Sequence, residues 1–165
     1  MNSLLNKEPV KRAEKSIKEF DPNLKVIFLE QTARTAQDAA TALGCNVGAI
    51  VKSLLFSAGD NFVLCLVSGD QRCSLNKLKK LLDEKDVSMA KPEDVKKITG
   101  YTIGGVSPVG HLTKVKIFID SCLERFTIVF AAAGHPNCVF KINFSQLKNL
   151  TAGEIRELTE WDNQN

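Results

Sequence analysis

The segment Gly100-Tyr101-Thr102-Ile103-Gly104-Gly105-Val106-Ser107-Pro108-Val109-Gly110-His111 limits what this chain can fold into more than any other. Four glycines and a proline within eleven residues cannot continue a helix or a strand, because glycine is entropically costly there and proline lacks a donor N–H. Apolar Tyr101, Ile103, Val106 and Val109 are interleaved with them, which argues against a loose linker. The expectation is a rigid loop lined by its own backbone, whose N–H groups approach a small carbonyl compound or an anion with no side chain between. A tight turn between two strands explains the glycines as well, and composition alone leaves both readings open.

A length of 165 residues, 44% of them hydrophobic and 25% charged, suits a single globular domain spanning 1–165. The five cysteines (Cys45, Cys65, Cys73, Cys122, Cys138) are scattered, form no Cys-x-x-Cys pair, and have only His111 and His135 to assist them. A zinc site or disulfide framework is therefore disfavoured, and most of the thiols read as small core side chains in a reducing compartment. The polar stretch Met1 to Phe20 has no apolar secretory segment, and runs such as Ile128–Ala133 are too short to cross a bilayer. A cytoplasmic protein without membrane contact is expected. The net charge of +3 is uneven: residues 1–82 carry 12 basic and 8 acidic groups, residues 83–165 carry 10 and 11. This permits contact with a polyanion without requiring it.

Periodicity predicts a helix over Pro9–Phe20, a strand over Leu24–Glu30, and a helix opened by Thr35 with Asp38 three positions on and closed by Gly44. Lys52–Ala58 and Phe62–Ser68 flank Gly59-Asp60-Asn61 as a hairpin. Ser74 caps a helix to Leu82, Asp86–Met89 is a short strand, and Pro92 starts another helix. Strands follow near Val115–Ile119, Phe126–Ala132 and Cys138–Ile142, with helix or turn at Ser145–Leu150 and Gly153–Trp161. The expected class is a mixed α/β (α+β) domain with six or seven mostly antiparallel or mixed strands and surrounding helices.

Lys52 is the charge that most invites a role, since it interrupts the apolar run Ile50-Val51-Lys52-Ser53-Leu54-Leu55-Phe56. Burying it costs desolvation energy unless an anionic group meets it; a lysine at a strand edge with its head in water is the simpler account. Gly44 to Ser53 has the ingredients of a phosphate loop with the wrong spacing, which disfavours nucleotide hydrolysis. His135, after Ala131-Ala132-Ala133-Gly134, either orients a substrate or water or is a polar turn residue, and His111 reads as exposed. No Gly-x-Ser-x-Gly elbow is present, Ser107 precedes proline without an obvious base, and no cysteine has a persuasive activator. An enzyme of this sequence would work through positioning and backbone donors. Lys77, Lys79, Lys80, Lys85, Lys91, Lys96 and Lys97, with Lys7, Lys11, Arg12, Lys15 and Lys18, can track a phosphate backbone, although solvated helix surfaces explain them equally simply.

The order of these features resembles the YbaK/EbsC-like aminoacyl-tRNA deacylases, relatives of the editing insertion domain of bacterial prolyl-tRNA synthetase. The resemblance runs from about Leu24 to Leu150. It rests on Arg34-Thr35, Ala39-Ala40, Leu43-Gly44, Ile50-Val51-Lys52-Ser53-Leu54, the glycine-rich segment, Asp120, and Ala132-Ala133-Gly134-His135-Pro136.

The resemblance implies a strongly curved mixed sheet with helices around it, and a free-standing proofreading domain that hydrolyses the ester of mischarged transfer RNA without metal or protein nucleophile. It assigns Lys52 to the catalytic pocket together with Gly104, Gly105 and His135. Substrate contacts are expected from Phe28, Thr32, Ser53, Thr102, Ile103, Val106, Ser107, Pro108, Ala132 and Gly134. Water would attack the carbonyl while the terminal ribose hydroxyl assists proton movement. The expected partner is the acceptor end of an aminoacylated transfer RNA, that for proline above all, with prolyl-tRNA synthetase as a further one; DNA is not expected, and a monomer is. Alanine at 132 and 133 leans the pocket toward a small aliphatic amino acid. A non-catalytic module that binds aminoacylated acceptor ends is the alternative.

Overall fold

The computed structural model describes residues 3–31 and 33–161. Among them are five α-helices: α1 (Glu8–Phe20), α2 (Ala36–Leu43), α3 (Leu75–Leu82), α4 (Pro92–Thr99) and α5 (Phe144–Thr151). Eight strands form one sheet: β1 (Val26–Phe28), β2 (Ile50–Ala58), β3 (Asn61–Ser68), β4 (Val87–Met89), β5 (Lys116–Asp120), β6 (Ile128–His135), β7 (Cys138–Asn143) and β8 (Glu154–Arg156). Their order is β1-β7-β6-β2-β3-β5-β8, with β4 added to β2.

Three of these five helices, α2, α3 and α5, begin at a side-chain cap. Thr35 accepts from Asp38 N at 3.0 Å while Asp38 Oδ2 accepts from Thr35 N at 3.3 Å, a reciprocal cap that fixes the start of α2. Ser74 caps α3 through Lys77 N, and Asn143 with Gln146 closes a second reciprocal cap on α5. The sheet is mixed, as expected: β2–β6, β3–β5 and β5–β8 pair in parallel, and the other four pairs are antiparallel. The segment 153–161, expected as helix or turn, instead supplies β8, because pairing alongside Phe118–Asp120 decides its conformation. Buried Asp120 secures this end by accepting from Leu158 N at 2.6 Å, Thr159 Oγ1 at 3.0 Å and Cys122 N at 3.2 Å.

Strand alternation divides the core. One face carries Val51, Leu55, Leu64, Leu66, Ile119, Val129, Ala131, Phe140 and Ile142, covered by α1 through Val10, Ala13 and Ile17 and by Leu147 of α5. The opposite face holds two separate clusters. Phe56, Val63, Cys65, Val67 and Phe118 pack with Leu78 of α3, whereas Ile50 and Val139 pack with Ala39 and Ala40 of α2. On β2 the junction falls between Ile50 and Leu54, at Lys52.

β2 is also the strand whose pairing is incomplete. Its β3 edge is paired from Val51 to Ala58. On the other edge β6 takes Ile50 and Val51, and β4 takes Phe56–Ala58, so the ladder is interrupted from Lys52 to Leu55.

Candidate functional site

The interruption opens into a cavity of about 300 Å³. Lys52, Ser53 and Leu54 form one wall; Ala33, Arg34, Ala36 and Ala39 from the start of α2 form another. Phe130, Ala132 and Val139 line the strand side, and Ile103, Gly104, Val106, Pro136, Met89 and Ala90 close the remainder. Lys52 and the glycine-rich segment, 52 positions apart to Gly104, thus face the same space. Ile103 and Met89 are 60% and 54% exposed, which gives the mouth an apolar rim.

Lys52 is half-buried and donates to Gln71 O, leaving two of its three N–H donors for another group. Burial pushes its pKa down; nearby Asp70 opposes that shift and Arg72 adds to it. Exposed Arg34 brings a further cation to the rim. Beside Lys52, Ser53 Oγ is buried and has no hydrogen-bond partner. The alternation of β2 fixes where the Ser53 main chain points. Ile50 O accepts from Gly69 N on the β3 side at 2.7 Å, and Leu55 O accepts from Ala90 N on the other side at 3.0 Å. Odd-numbered positions here therefore aim their N–H and C=O away from β3, and those of Ser53 face the interruption.

The glycine-rich segment is held rigidly from behind. Arg12 of α1 donates from Nε to Gly110 O at 2.7 Å and reaches Thr99 O at 3.4 Å, and its guanidinium lies 4.6 Å from the Tyr101 ring centroid. Tyr101 is fully buried and donates its hydroxyl to Val109 O at 2.7 Å; burial pushes its pKa up to about 12, so it stays a neutral phenol. His111 is largely covered rather than exposed, stands edge-on to Tyr101, and donates from Nε2 to Ser107 O at 2.7 Å. Burial lowers its pKa. The sequence places Arg12 among the cations that can track a phosphate backbone, yet in the structure it ties α1 to the loop.

The two central glycines differ. Gly104 is exposed, has φ +89°, lines the cavity, and its N–H has no acceptor among the described residues. Gly105 is buried and donates its N–H to Thr102 O at 2.9 Å. A Cβ on Gly105 would lie 2.9 Å from the His135 Cα, so this glycine lets the loop press against the end of β6. Gly134, at φ +94°, likewise permits β6 to approach α1, where an added Cβ would meet Pro9 O at 2.6 Å.

Of the residues expected at the site, the cavity brings together Lys52, Ser53, Ile103, Gly104, Val106 and Ala132. Gly105, Gly134, Thr102, Ser107, Pro108 and His135 do not line it. Phe28 packs toward the α1 face, because alternation in β1 gives the other face to Ile27. Thr32 lies outside the described residues. Ser107 is buried with an unpartnered Oγ for which nothing nearby accounts. His135 Nδ1 accepts from Asn137 N at 3.0 Å, which leaves its proton on Nε2, and burial lowers its pKa. Asn137 in turn donates to Leu29 O at 2.7 Å and Gln31 O at 3.0 Å, holding the segment that leads to Ala33 and Arg34. Sequence reasoning did not single out Ala33, Met89 or Asn137, and it quoted Pro136 only as part of the segment that carries the resemblance. Only the cap at Thr35 hinted that Arg34 and Ala36 share a helix start.

Among the described residues no group of three His, Cys, Asp or Glu side chains is placed to hold a metal, and no helix is long and apolar enough to cross a membrane. All five cysteines are free.

Residues 30–150 match the family model of the aminoacyl-tRNA editing domain. The chain is 30% identical over 131 residues to the uncharacterized protein YwhH of Bacillus subtilis, covering 79% of this chain and 83% of that protein. It is also 30% identical over 156 residues to a proline–tRNA ligase of Caldicellulosiruptor bescii, covering 94% of this chain. The chain spans only 26% of that ligase's length. A crystal structure described as that of a candidate trans-editing enzyme for prolyl tRNA synthetase superposes with TM-score 0.89 at 36% identity, covering 94% of this chain and 99% of its own. The chain belongs to the aminoacyl-tRNA editing domain family.

Proposed function

We propose that this protein is a free-standing single-domain deacylase, acting in trans on transfer RNA that carries a wrong amino acid, that for proline above all. The observation that carries this reading is the shared cavity of Lys52 and the Gly104 backbone beside an apolar pocket. Water adds to the ester carbonyl carbon, the bond to the ribose oxygen breaks, and the proton released by water passes to that oxygen with help from the neighbouring ribose hydroxyl. Lys52 holds the acceptor end by its charge, and Arg34 at the rim supports it. Main-chain N–H groups of the cavity meet the negative charge that develops on the carbonyl oxygen, the role in which one donor is worth about a hundredfold in rate. Gly104 supplies a free N–H there; Gly105, whose N–H is already used within the loop, acts by letting the loop seat against β6.

The amino-acid side chain is assigned to the space between Ala36, Ala39, Ile50, Phe130, Ala132 and Val139, which offers no hydrogen-bonding side chain. A small aliphatic residue fits this chemistry, and each methylene of mismatch is worth ~1–3 kcal/mol. The likeness to proline–tRNA ligases supports prolyl-tRNA as the carrier and the synthetase as a partner. The test is a deacylation screen over mischarged transfer RNAs, repeated with Lys52→Ala. Turnover is expected to fall about a hundredfold with thermal unfolding little changed. Near-normal turnover in the variant overturns the role of Lys52, and tight binding without any turnover assigns a non-catalytic binding module instead.

A further inference from the structure

A strand edge left open inside a protein is a chemical demand. Backbone N–H and C=O groups removed from water are almost always paired, and each one left alone costs as much as a lost hydrogen bond. At Ser53 three such groups coincide: the N–H and C=O that the β2 alternation turns into the interruption between β6 and β4, and the buried, unpartnered Oγ. None of them is met by the glycine-rich segment, which borders the same cavity without joining the ladder.

We infer that Ser53 is the subsite for the amino-acid main chain of the substrate, which fills the missing rung of the sheet as a strand of one residue. This rests on the deacylase reading above. An amino acid in ester linkage carries an ammonium and a carbonyl on either side of one Cα, the same spacing as a residue of a paired strand. In a hydrogen-bonded antiparallel pair the two residues exchange both bonds. The α-ammonium therefore donates to Ser53 C=O, and the ester carbonyl accepts from Ser53 N–H, as peptides do when they add to an open sheet edge. Ser53 Oγ accepts a second ammonium proton. Because Lys52 and Ser53 are adjacent on an extended strand, their side chains emerge on opposite faces. Seating the substrate main chain at Ser53 places its ester beside Lys52 while keeping the ammonium from competing for the same groups.

A consequence is discrimination against acylated amino groups. A peptidyl or N-acetyl aminoacyl ester has lost the positive charge and two of the three N–H donors. Its acyl group would also have to occupy the interruption, where β6 and β4 approach.

The experiment uses the full chain, isotope-labelled for amide spectra. The probes are two stable analogues: alanine joined through an amide to the 3′ position of 3′-amino-3′-deoxyadenosine, and its N-acetyl form. The free-amine analogue is expected to bind at least about tenfold more tightly, as befits the loss of a charge-assisted hydrogen bond, and to shift the Ser53 amide resonance. Ser53→Ala is expected to weaken the free-amine analogue several-fold and to leave the acetylated one unchanged, narrowing the gap between them. Equal affinity of the two forms, binding of neither, or a Ser53 amide that does not move overturns the assignment. Selective binding of the free amine without turnover of any mischarged transfer RNA sustains it and sinks the deacylase reading alone.

Discussion

The two faces of the sheet are made from the same strands and finished differently. On the α1 side the apolar residues join into one cluster that runs from Val10 to Leu147. On the other side they stop and restart, one cluster under α2 and one under α3, and Lys52 stands at the junction. The interrupted edge of β2 lies at the same place. A closed face gives rigidity, and a discontinuous one leaves room for a ligand. The first makes the second usable, because the loop that borders the cavity is anchored to α1.

The contrast can be broken most strongly from the closed side. Gly134→Ala adds a Cβ at positive φ against the Pro9 backbone, and should destabilise the fold by roughly 3 kcal/mol in chemical denaturation. A change near zero would mean that the fit of α1 on β6 does not hold that face together. Arg12→Ala comes next. Losing its carbonyl bonds and its contact with Tyr101 should cost about 1–2 kcal/mol of stability. It should also lower kcat/KM of deacylation, since the loop loses its brace. Arg12→Lys should recover only part of either, as an ammonium cannot serve both carbonyls and stack on the ring.

A smaller effect is expected from pH. Burial lowers His111, so the unfolded chain, titrating near 6.5, takes up a proton that the folded chain refuses. Stability from this group is complete above about pH 6.5 and is lost as the pH falls below it. His135 acts with the same sign. Denaturation midpoints measured at intervals from neutral to mildly acid pH should decline, and His111→Gln should flatten the decline. Smallest of all is the rim. Ile103→Ser should move stability by less than about 0.5 kcal/mol, while raising the KM for mischarged transfer RNA a few-fold. A large loss of stability there would place the rim in the core instead.

What was legible in the sequence was whatever neighbouring residues decide. The spacing of Val10, Ala13 and Ile17 gave α1 and its buried stripe, Thr35 with Asp38 gave the start of α2, and Gly59-Asp60 gave the β2–β3 hairpin. For the glycine-rich segment the sequence leaves open a rigid backbone-lined loop and a tight turn; it does not reveal the braces, Tyr101, His111 and Arg12, that make it the former. Distant pairing was not legible. Glu154–Arg156 is a strand only because β5 offers an edge, and the break at Ser53 exists only because β6 and β4 arrive from 75 and 34 positions away and stop short of each other. Arg12 looked like one more surface cation, since nothing near it in the chain announces the carbonyls of Thr99 and Gly110. Lys77 misleads in the same way: it bonds Thr159 O at 2.5 Å, 82 positions away, so one lysine of the basic cluster is spent on joining distant segments of the protein.

The latch between Arg12 and Gly110 has a bearing on how far this chain can be shortened. The span that matches the editing-domain family begins at residue 30, beyond the helix that carries the latch. A fragment trimmed to that span keeps β2, β3, β6 and Lys52 but exposes the sheet surface that Val10, Ala13 and Ile17 cover, and sets the glycine-rich loop free. Such a fragment would retain every residue of the pocket without the helix that braces it, so the smallest unit that keeps the pocket's shape is expected to be longer than the recognisable one.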